Sequence, residues 1–281
     1  MPELPEVELT RENLMRWTSG HAIASLEVND SNLIEGLPLA ELQHAFERGE
    51  WRDIRRRGKL LIWDFAEGKA LGIHLRMTGK FILRESPEKT RKSRSTIALP
   101  NGQCIVFEDQ RRFARWEWGS LLHVETELGW NRLGPDAWSA MPPATALHEK
   151  SQRTRRSIRD ILLDQQFISG VGNIIANESL FLSGIHPLTP GKSLSRFRWE
   201  QLTKAIQETL ETSLARDRGQ EILYQGEKGA NNPFLVYGKA GEPCPQCGTV
   251  ITGGKKTGRS LFACLKCQPL SQAPLRATCN N

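Results

Sequence analysis

The chain has 281 residues, more than one typical domain and fewer than three large ones, and its 38% hydrophobic and 25% charged residues are the composition of a globular protein. No apolar run approaches the ~20 residues of a membrane span, and no basic N-terminal segment leads into an apolar stretch, so membrane and secreted classes are set aside and a soluble, cytoplasmic protein is expected. A net charge of +6 and a pI near 9.1, with cations bunched at Arg55-Arg56-Arg57, Lys89 to Arg94, Arg111-Arg112 and Arg153 to Arg159, point to a polyanionic partner.

The chain opens MPELPEVE, with two prolines and three carboxylates in eight residues. Residues 5–18 read as a helix. Pro5 suits its first turn and the carboxylates suit its N-terminus. Val7, Leu14 and Trp17 share one face, with Thr10 between the first two, before Gly20 stops it. None of this accounts for Pro2. Extended segments follow at 59–65, 71–78, 95–99, 103–109 and 112–118, and LPNGQ between the third and fourth signals a hairpin. Among them, HLRMTG offers His74 as a donor and Met77 as a flexible apolar side chain that in isolation reads as core filler. DQRRF sets Arg111 and Arg112 beside Phe113 at a strand edge or loop, which suits phosphate contact plus a wedge between bases.

Residues 134–150 carry Pro and Gly punctuation without period and are the expected domain boundary. Beyond them RSIRDILLDQQ and NIIANESLFLSG read as helices, and Trp199, Leu202, Ile206, Leu210 and Leu214 mark a longer third. Between the first two, Gly170-Val171-Gly172 leads into Asn173. Glycines let the backbone approach a ligand, and free amides at a helix start favour an anion. A capped turn with Gly past the helix end explains the same pattern; the crowd of Arg153, Arg155, Arg156 and Arg159 tilts it toward phosphate. Past Gly226 the chain turns to loops and short strands, and its last residues, 271–281, read as a disordered tail.

Four of the six cysteines form two pairs, Cys244/Cys247 and Cys264/Cys267, sixteen residues apart. Thiolates at this spacing surround one tetrahedral zinc with a hairpin between the pairs, and four of them leave no open position, so the ion is structural. The hairpin tip offers Lys255, Lys256 and Arg259 to a phosphate-rich groove. Cys104 and Cys279 stand outside the motif.

Taken together, MPELPEVE, HLRMTG, DQRRF, LLDQQFISGVGNIIANE, VYGKAGEPC and CPQC…CLKC resemble the bacterial formamidopyrimidine-DNA glycosylases of the Fpg/Nei family, in family order and over nearly the whole chain. The resemblance implies an α+β multidomain fold: an N-terminal β-sandwich with flanking helices (1–134), a helix-two-turn-helix domain (150–232) and a zinc-finger β-hairpin (236–270). It implies a cytoplasmic, nucleoid-associated bacterial monomer acting on double-stranded DNA with damaged bases or abasic sites. It also implies excision of oxidised bases followed by strand cleavage.

The resemblance makes Pro2 the nucleophile once Met1 is removed, and the chemistry suits the residue. An α-amine titrates about two units below a lysine, so more of it is neutral near pH 7. A secondary amine gives an iminium with no N–H to lose, which persists as an electron sink. By motif position Glu3 is the general acid–base, with Glu6 in support. Lys59 contacts the lesion phosphate and assists β-elimination, and Arg259 assists δ-elimination. His74, Arg112 and Asn173 grip phosphates, and Met77, Arg111 and Phe113 fill the gap left by an everted base. Arg159 stands where the family often has lysine. Lys92 and Arg94 stand in for histidines that RKSRST lacks. PELPE favours oxidised purines, whereas ARDRGQEILYQGEKGANNPF lacks the Thr-x-Leu-Lys/Arg-Asp pattern of the loop that covers 8-oxoguanine. Two rivals are a Nei-like enzyme for oxidised pyrimidines and a non-catalytic damaged-DNA-binding protein; a zinc hydrolase is excluded by the saturated metal.

Overall fold

The computed structural model describes residues 2–18, 23–34, 38–86, 90–225 and 227–270. Met1, the expected stop at Gly20, Lys89, Gly226 and the expected tail at 271–281 lie outside the described residues. The chain divides into two compact units, Met1–Leu133 with Ser213–Ala230, and Gly134–Thr212 with Asn231–Asn281.

The first unit begins with α1 (Leu4–Thr18). Glu3 caps it. Its carbonyl accepts the Val7 amide at 3.1 Å, and Glu6 reaches back to accept the Glu3 amide at 2.8 Å, the reciprocal half of a capping box. Val7, Thr10 and Leu14 are buried and Trp17 packs half-buried on the core, as the spacing predicts. Two four-stranded antiparallel sheets follow. One orders β1 (Ser25–Val28), β6 (Ser93–Ala98), β7 (Cys104–Glu108) and β5 (Lys80–Arg84); the other orders β2 (Trp51–Arg57), β3 (Leu60–Phe65), β4 (Lys69–His74) and β8 (Arg115–Ser120). Period-2 alternation sorts β3. Leu61, Trp63 and Phe65 join a core that takes Phe81, Ile97 and Phe107 from the other sheet, while Leu60 and Ile62 join Val124 of α3 (Leu121–Leu128) and Trp130. Both faces of β3 are covered, which is why LLIWDF reads as an unbroken apolar run. α3 seats directly on β4 at Gly72, where a Cβ would come within 2.5 Å of Val124 and Leu128.

The strand expected over 71–78 ends at His74, and that over 112–118 starts at Arg115. The cause is local: Arg76 and Arg112 take φ of +56° and +58°, left-handed turns that a strand cannot hold. The sequence reading also misses β1, β2, β5, α3 and α2 (Leu39–Glu47). In β2, WRDIRRR, charge hides the strand. Its arginines belong to the run that suggests a polyanion, but the fold engages them internally. Arg55 pairs with Asp64, Arg56 with Glu8, and Arg57 donates to the Leu133 carbonyl at 2.6 Å.

In the second unit, α4 (Ala144–Ser151) lies inside the stretch expected to be aperiodic, started by Pro143 at its cap. The helix expected over 156–166 shrinks to α5 (Ile158–Leu162). Asp164 accepts the Gln166 amide at 2.9 Å and the Arg156 guanidinium at 2.7 Å, which turns the chain there. α6 (Asn173–Leu182) and α7 (Arg196–Asp217) follow, and α7 passes into the first unit at Ser213. Trp199, Leu202, Ile206, Leu210 and Leu214 are all buried along α7. The cysteine hairpin pairs β9 (Thr252–Lys256) with β10 (Arg259–Ala263) over a core of Phe181, Val236, Cys244, Ile251 and Cys264. The buried Glu178 carboxylate fixes the approach to it by accepting the amides of Leu235, Val236 and Tyr237 at 2.6–2.9 Å.

Candidate active site and nucleic-acid interface

Pro2 and Glu3 are both buried at the start of α1. The Glu6 carboxyl is pushed up from its ordinary range, first by burial and then by the Glu3 charge. Glu6 therefore keeps a proton to higher pH than an ordinary carboxyl, near the charge of a second carboxyl. That pairing can hold and release a proton at one place.

On the second sheet, Gly58 and Lys59 form the two-residue turn between β2 and β3, with Gly58 at φ +58° as such turns require. Leu60 is paired to His74 and His74 to Arg115, so the ring lies in the row just inside this turn. Its Nδ1 accepts the Arg76 amide at 3.1 Å, which leaves the proton of the neutral ring on Nε2. Burial, then the charges of Arg76, Lys59 and Arg115, push His74 down to about 3. The ring is thus a neutral donor close to three cations, of which Arg115 also pairs with Glu117 and Glu127. Arg76 and Arg115 were missed in the sequence; both sit inside quoted motifs or strands, and only pairing register brings them here.

Met77 precedes Thr78, and Phe113 follows Arg111 and Arg112, in two segments that hydrogen bonds tie together. The Thr78 hydroxyl donates to Asp109 Oδ1 and accepts the Arg111 amide at 3.0 Å. Asp109 takes the Arg111 amide at 3.2 Å and the Ala114 amide at 2.8 Å, so one buried carboxylate shapes the whole loop. Phe113 is 52% exposed, and the Arg111 guanidinium lies 4.7 Å from its centroid. Arg112 grips Asp30 through two nitrogens at 2.6 and 2.8 Å and remains half exposed. Lys92 is exposed and its carbonyl accepts the Asp109 amide at 2.9 Å, whereas Arg94 is spent on the Asp109 carbonyl at 2.8 Å and on Asp30.

In the second unit the junction before α6 joins the cysteine hairpin. Arg159, expected to touch DNA directly, is instead fully buried. It donates to Asn173 Oδ1 at 2.8 Å and to the Ser260 carbonyl at 3.0 Å. Asn173 Nδ2 reaches the same carbonyl at 2.9 Å. Asn177 accepts the Phe262 amide at 2.8 Å, and Lys256 bonds Asp160 at 2.7 Å. Arg259, beside Ser260, stays exposed and lines a pocket of about 300 Å³ with Arg156, Asp160, Leu163 and Thr257. Arg159 and Asn173 therefore act on Arg259's strand rather than outward.

The sulfurs of Cys244, Cys247, Cys264 and Cys267 lie within 4.8 Å of one another, with pairs at 3.5 and 3.8 Å. A tetrahedron of thiolates about 2.3 Å from zinc has edges of about 3.8 Å, so the set fits one such ion. Gln268, fully buried, bonds the Cys264 amide at 3.1 Å and the Ile185 carbonyl at 2.9 Å, tying the second pair to the helices.

The sequence matches the Formamidopyrimidine-DNA glycosylase N-terminal domain over residues 1–116 and the Formamidopyrimidine-DNA glycosylase H2TH domain over residues 133–223. The chain belongs to the formamidopyrimidine-DNA glycosylase family. Relatives of that name from a Synechococcus species and from Serratia proteamaculans are 36% and 35% identical, covering 96% and 95% of this chain and all of theirs. Among solved structures, the Lactococcus lactis Fpg bound to abasic-site DNA superposes with a TM-score of 0.83 at 29% identity, and MutM bound to DNA with carbocyclic 8-oxo-G with 0.81 at 30%. Each covers 95% of this chain and all of its own. Among the described residues no helix is long and apolar enough to cross a membrane.

Proposed function

We infer that this member of the glycosylase family excises oxidised purines from duplex DNA and then cuts the strand, with Pro2 as nucleophile after removal of Met1. The observation that carries the reading is the N-terminal cap, where Pro2 directly precedes the buried Glu3 and the Glu6 carboxyl accepts the Glu3 amide. The Pro2 nitrogen attacks C1′, the base departs with the C1′–N bond pair, and Glu3 delivers a proton to the ring oxygen as the sugar opens to an iminium. The iminium acidifies the C2′ proton; its loss expels the 3′ phosphate, and a second elimination expels the 5′ phosphate. Lys59 supports the first elimination and Arg259 the second. His74, Arg112 and Lys92 hold phosphates; Met77, Arg111 and Phe113 occupy the space of the everted base. Arg159 and Asn173 brace Arg259. The four cysteines hold one zinc ion that folds the hairpin and takes no part in the chemistry. The division into a sandwich at 1–134, a helical domain at 150–232 and a finger at 236–270 belongs to the same proposal.

Borohydride reduction on a duplex with 8-oxoguanine tests it. The wild type is expected to form a covalent adduct, and Pro2→Gly is expected to bind the duplex and trap at least about a hundredfold less. Trapping that survives in Pro2→Gly, or active enzyme that retains Met1, overturns the reading. A lesion panel in which oxidised pyrimidines outrun purines moves the enzyme to the rival substrate class, and binding without any trapping leaves the non-catalytic rival.

A further inference from the structure

The segment that lacks the Thr-x-Leu-Lys/Arg-Asp pattern is not loose in this protein. Residues 218–225 climb α1 toward its N-terminus in steps of one helical turn. Arg218 bonds Glu12 with two nitrogens at 2.9 and 3.0 Å, and Ile222 and Tyr224 bury their side chains against Leu9. The Tyr224 hydroxyl, fully desolvated beside the charges of Glu6, Glu227 and Asp109, donates to the Gly79 carbonyl at 2.6 Å. Glu227 completes the fastening. Its Oε2 accepts the Tyr224 amide at 3.1 Å and the Lys80 ammonium at 3.0 Å. Lys80, only 6% exposed at the first position of β5, also approaches the Ile222 carbonyl at 3.5 Å.

A lysine is almost never buried to this degree unless it is paired for a purpose. Here the purpose follows from what adjoins it. Gly79 closes the turn of Arg76, Met77 and Thr78, donating its amide to the Leu75 carbonyl at 3.0 Å. Thr78 in turn bonds Asp109, which shapes the Arg111–Phe113 loop. Hydrogen bonds, linked through the Tyr224 residue and the Thr78–Gly79 peptide, thus connect Glu227 to Tyr224, Tyr224 to Gly79, Thr78 to Asp109 and Asp109 to Arg111. A Cβ at Gly79 would lie 2.6 Å from the Leu75 carbonyl and 3.0 Å from Phe107, so the backbone of this turn packs closely on Leu75 and Phe107.

We propose that residues 218–225 and Glu227 form a strap that sets the wedge turn of Met77, with Tyr224 and the Lys80–Glu227 pair as positioning residues for base eversion. The inference rests on the glycosylase reading and names the coupling on which its first step depends. The strap bears on the step that moves a base out of the stack. It leaves untouched the lyase steps on a site that has already lost its base.

Single-turnover rates on two duplexes test this: one with the lesion the wild type excises fastest, the other with a preformed abasic site. Tyr224→Phe deletes one hydroxyl and keeps the ring in its pocket. It is expected to lower the excision rate about tenfold, the effect of losing one well-placed buried hydrogen bond, while Kd and abasic-site cleavage stay within about twofold of wild type. Glu227→Gln is expected to show the same split, and Lys80→Arg, which keeps the charge, to recover at least half of the rate that Lys80→Met loses. A fluorescent base analogue beside the lesion should report slower unstacking in Tyr224→Phe. Excision and abasic-site cleavage falling in proportion, or neither changing, overturns the strap. Wild-type protein that excises no base and is not trapped on either duplex overturns the glycosylase reading itself, a result separate from any ratio.

Discussion

Arg55, Arg56 and Arg57 stand on β2 with Asp64, Glu8 and the Leu133 carbonyl as their partners. Two residues further on, Lys59 joins Arg76 and Arg115 around a ring that they help hold neutral. The sequence presents one basic run, and the fold divides it. The first group faces fixed negative charge, with Glu8 held below the usual carboxylate range because Arg11 and Arg56 outweigh the effect of its burial. In the second group Arg115 pairs with Glu117 and Glu127, while Arg76 is exposed beside the His74 ring. Cation count in the sequence therefore says less than the partner that the fold sets against each cation.

Breaking the structural side should have the largest effect. Arg56→Met strips a nearly buried guanidinium from Glu8 and is expected to cost about 3 kcal/mol of unfolding free energy in urea, with little change in the salt dependence of DNA binding. A loss under 1 kcal/mol would mean that Arg11 alone satisfies Glu8. The His74 side is sharpened by pH. His74 titrates at about 3 folded against an ordinary 6.5, so as pH falls the unfolded chain takes up the proton first. Its contribution is therefore complete above pH 6.5 and is lost progressively toward pH 3. At pH 5 this amounts to about 1–2 kcal/mol, and His74→Gln should flatten that part of the stability–pH curve. An unchanged slope would place the ring in water. The smallest effect is the most specific: Arg76→Gln should lower the slope of log K against log salt by about 1, whereas Arg55→Gln should leave it unchanged.

Much of the site was legible because its residues are bound to local chemistry. The CxxC pairs, the Gly-rich entry to Asn173 and the proline before a helix cap each announce themselves within a few positions. What escaped was set by distant partners. Nothing near Arg112 in the sequence indicates Asp30, 82 positions away, and nothing in RSIRDILLDQQ shows that Arg159 points inward to Ser260, 101 positions on. Strands were lost for a related reason: in β2 the charged residues that pair across the fold mask the alternation that would mark a strand. Single left-handed residues at Arg76 and Arg112 cut two strands short, and propensity carries no sign of either.

The cysteine hairpin borrows its orientation. Ser260 is held by Arg159 and Asn173, Phe262 by Asn177, Lys256 by Asp160, and the second cysteine pair by Gln268 to Ile185. An excised peptide of residues 236–270 would keep the ligands for its metal and lose every one of these anchors. The ion alone can make a knuckle, but aiming Arg259 takes α5 and α6. Any graft that carries this finger into another scaffold must bring those two helices with it.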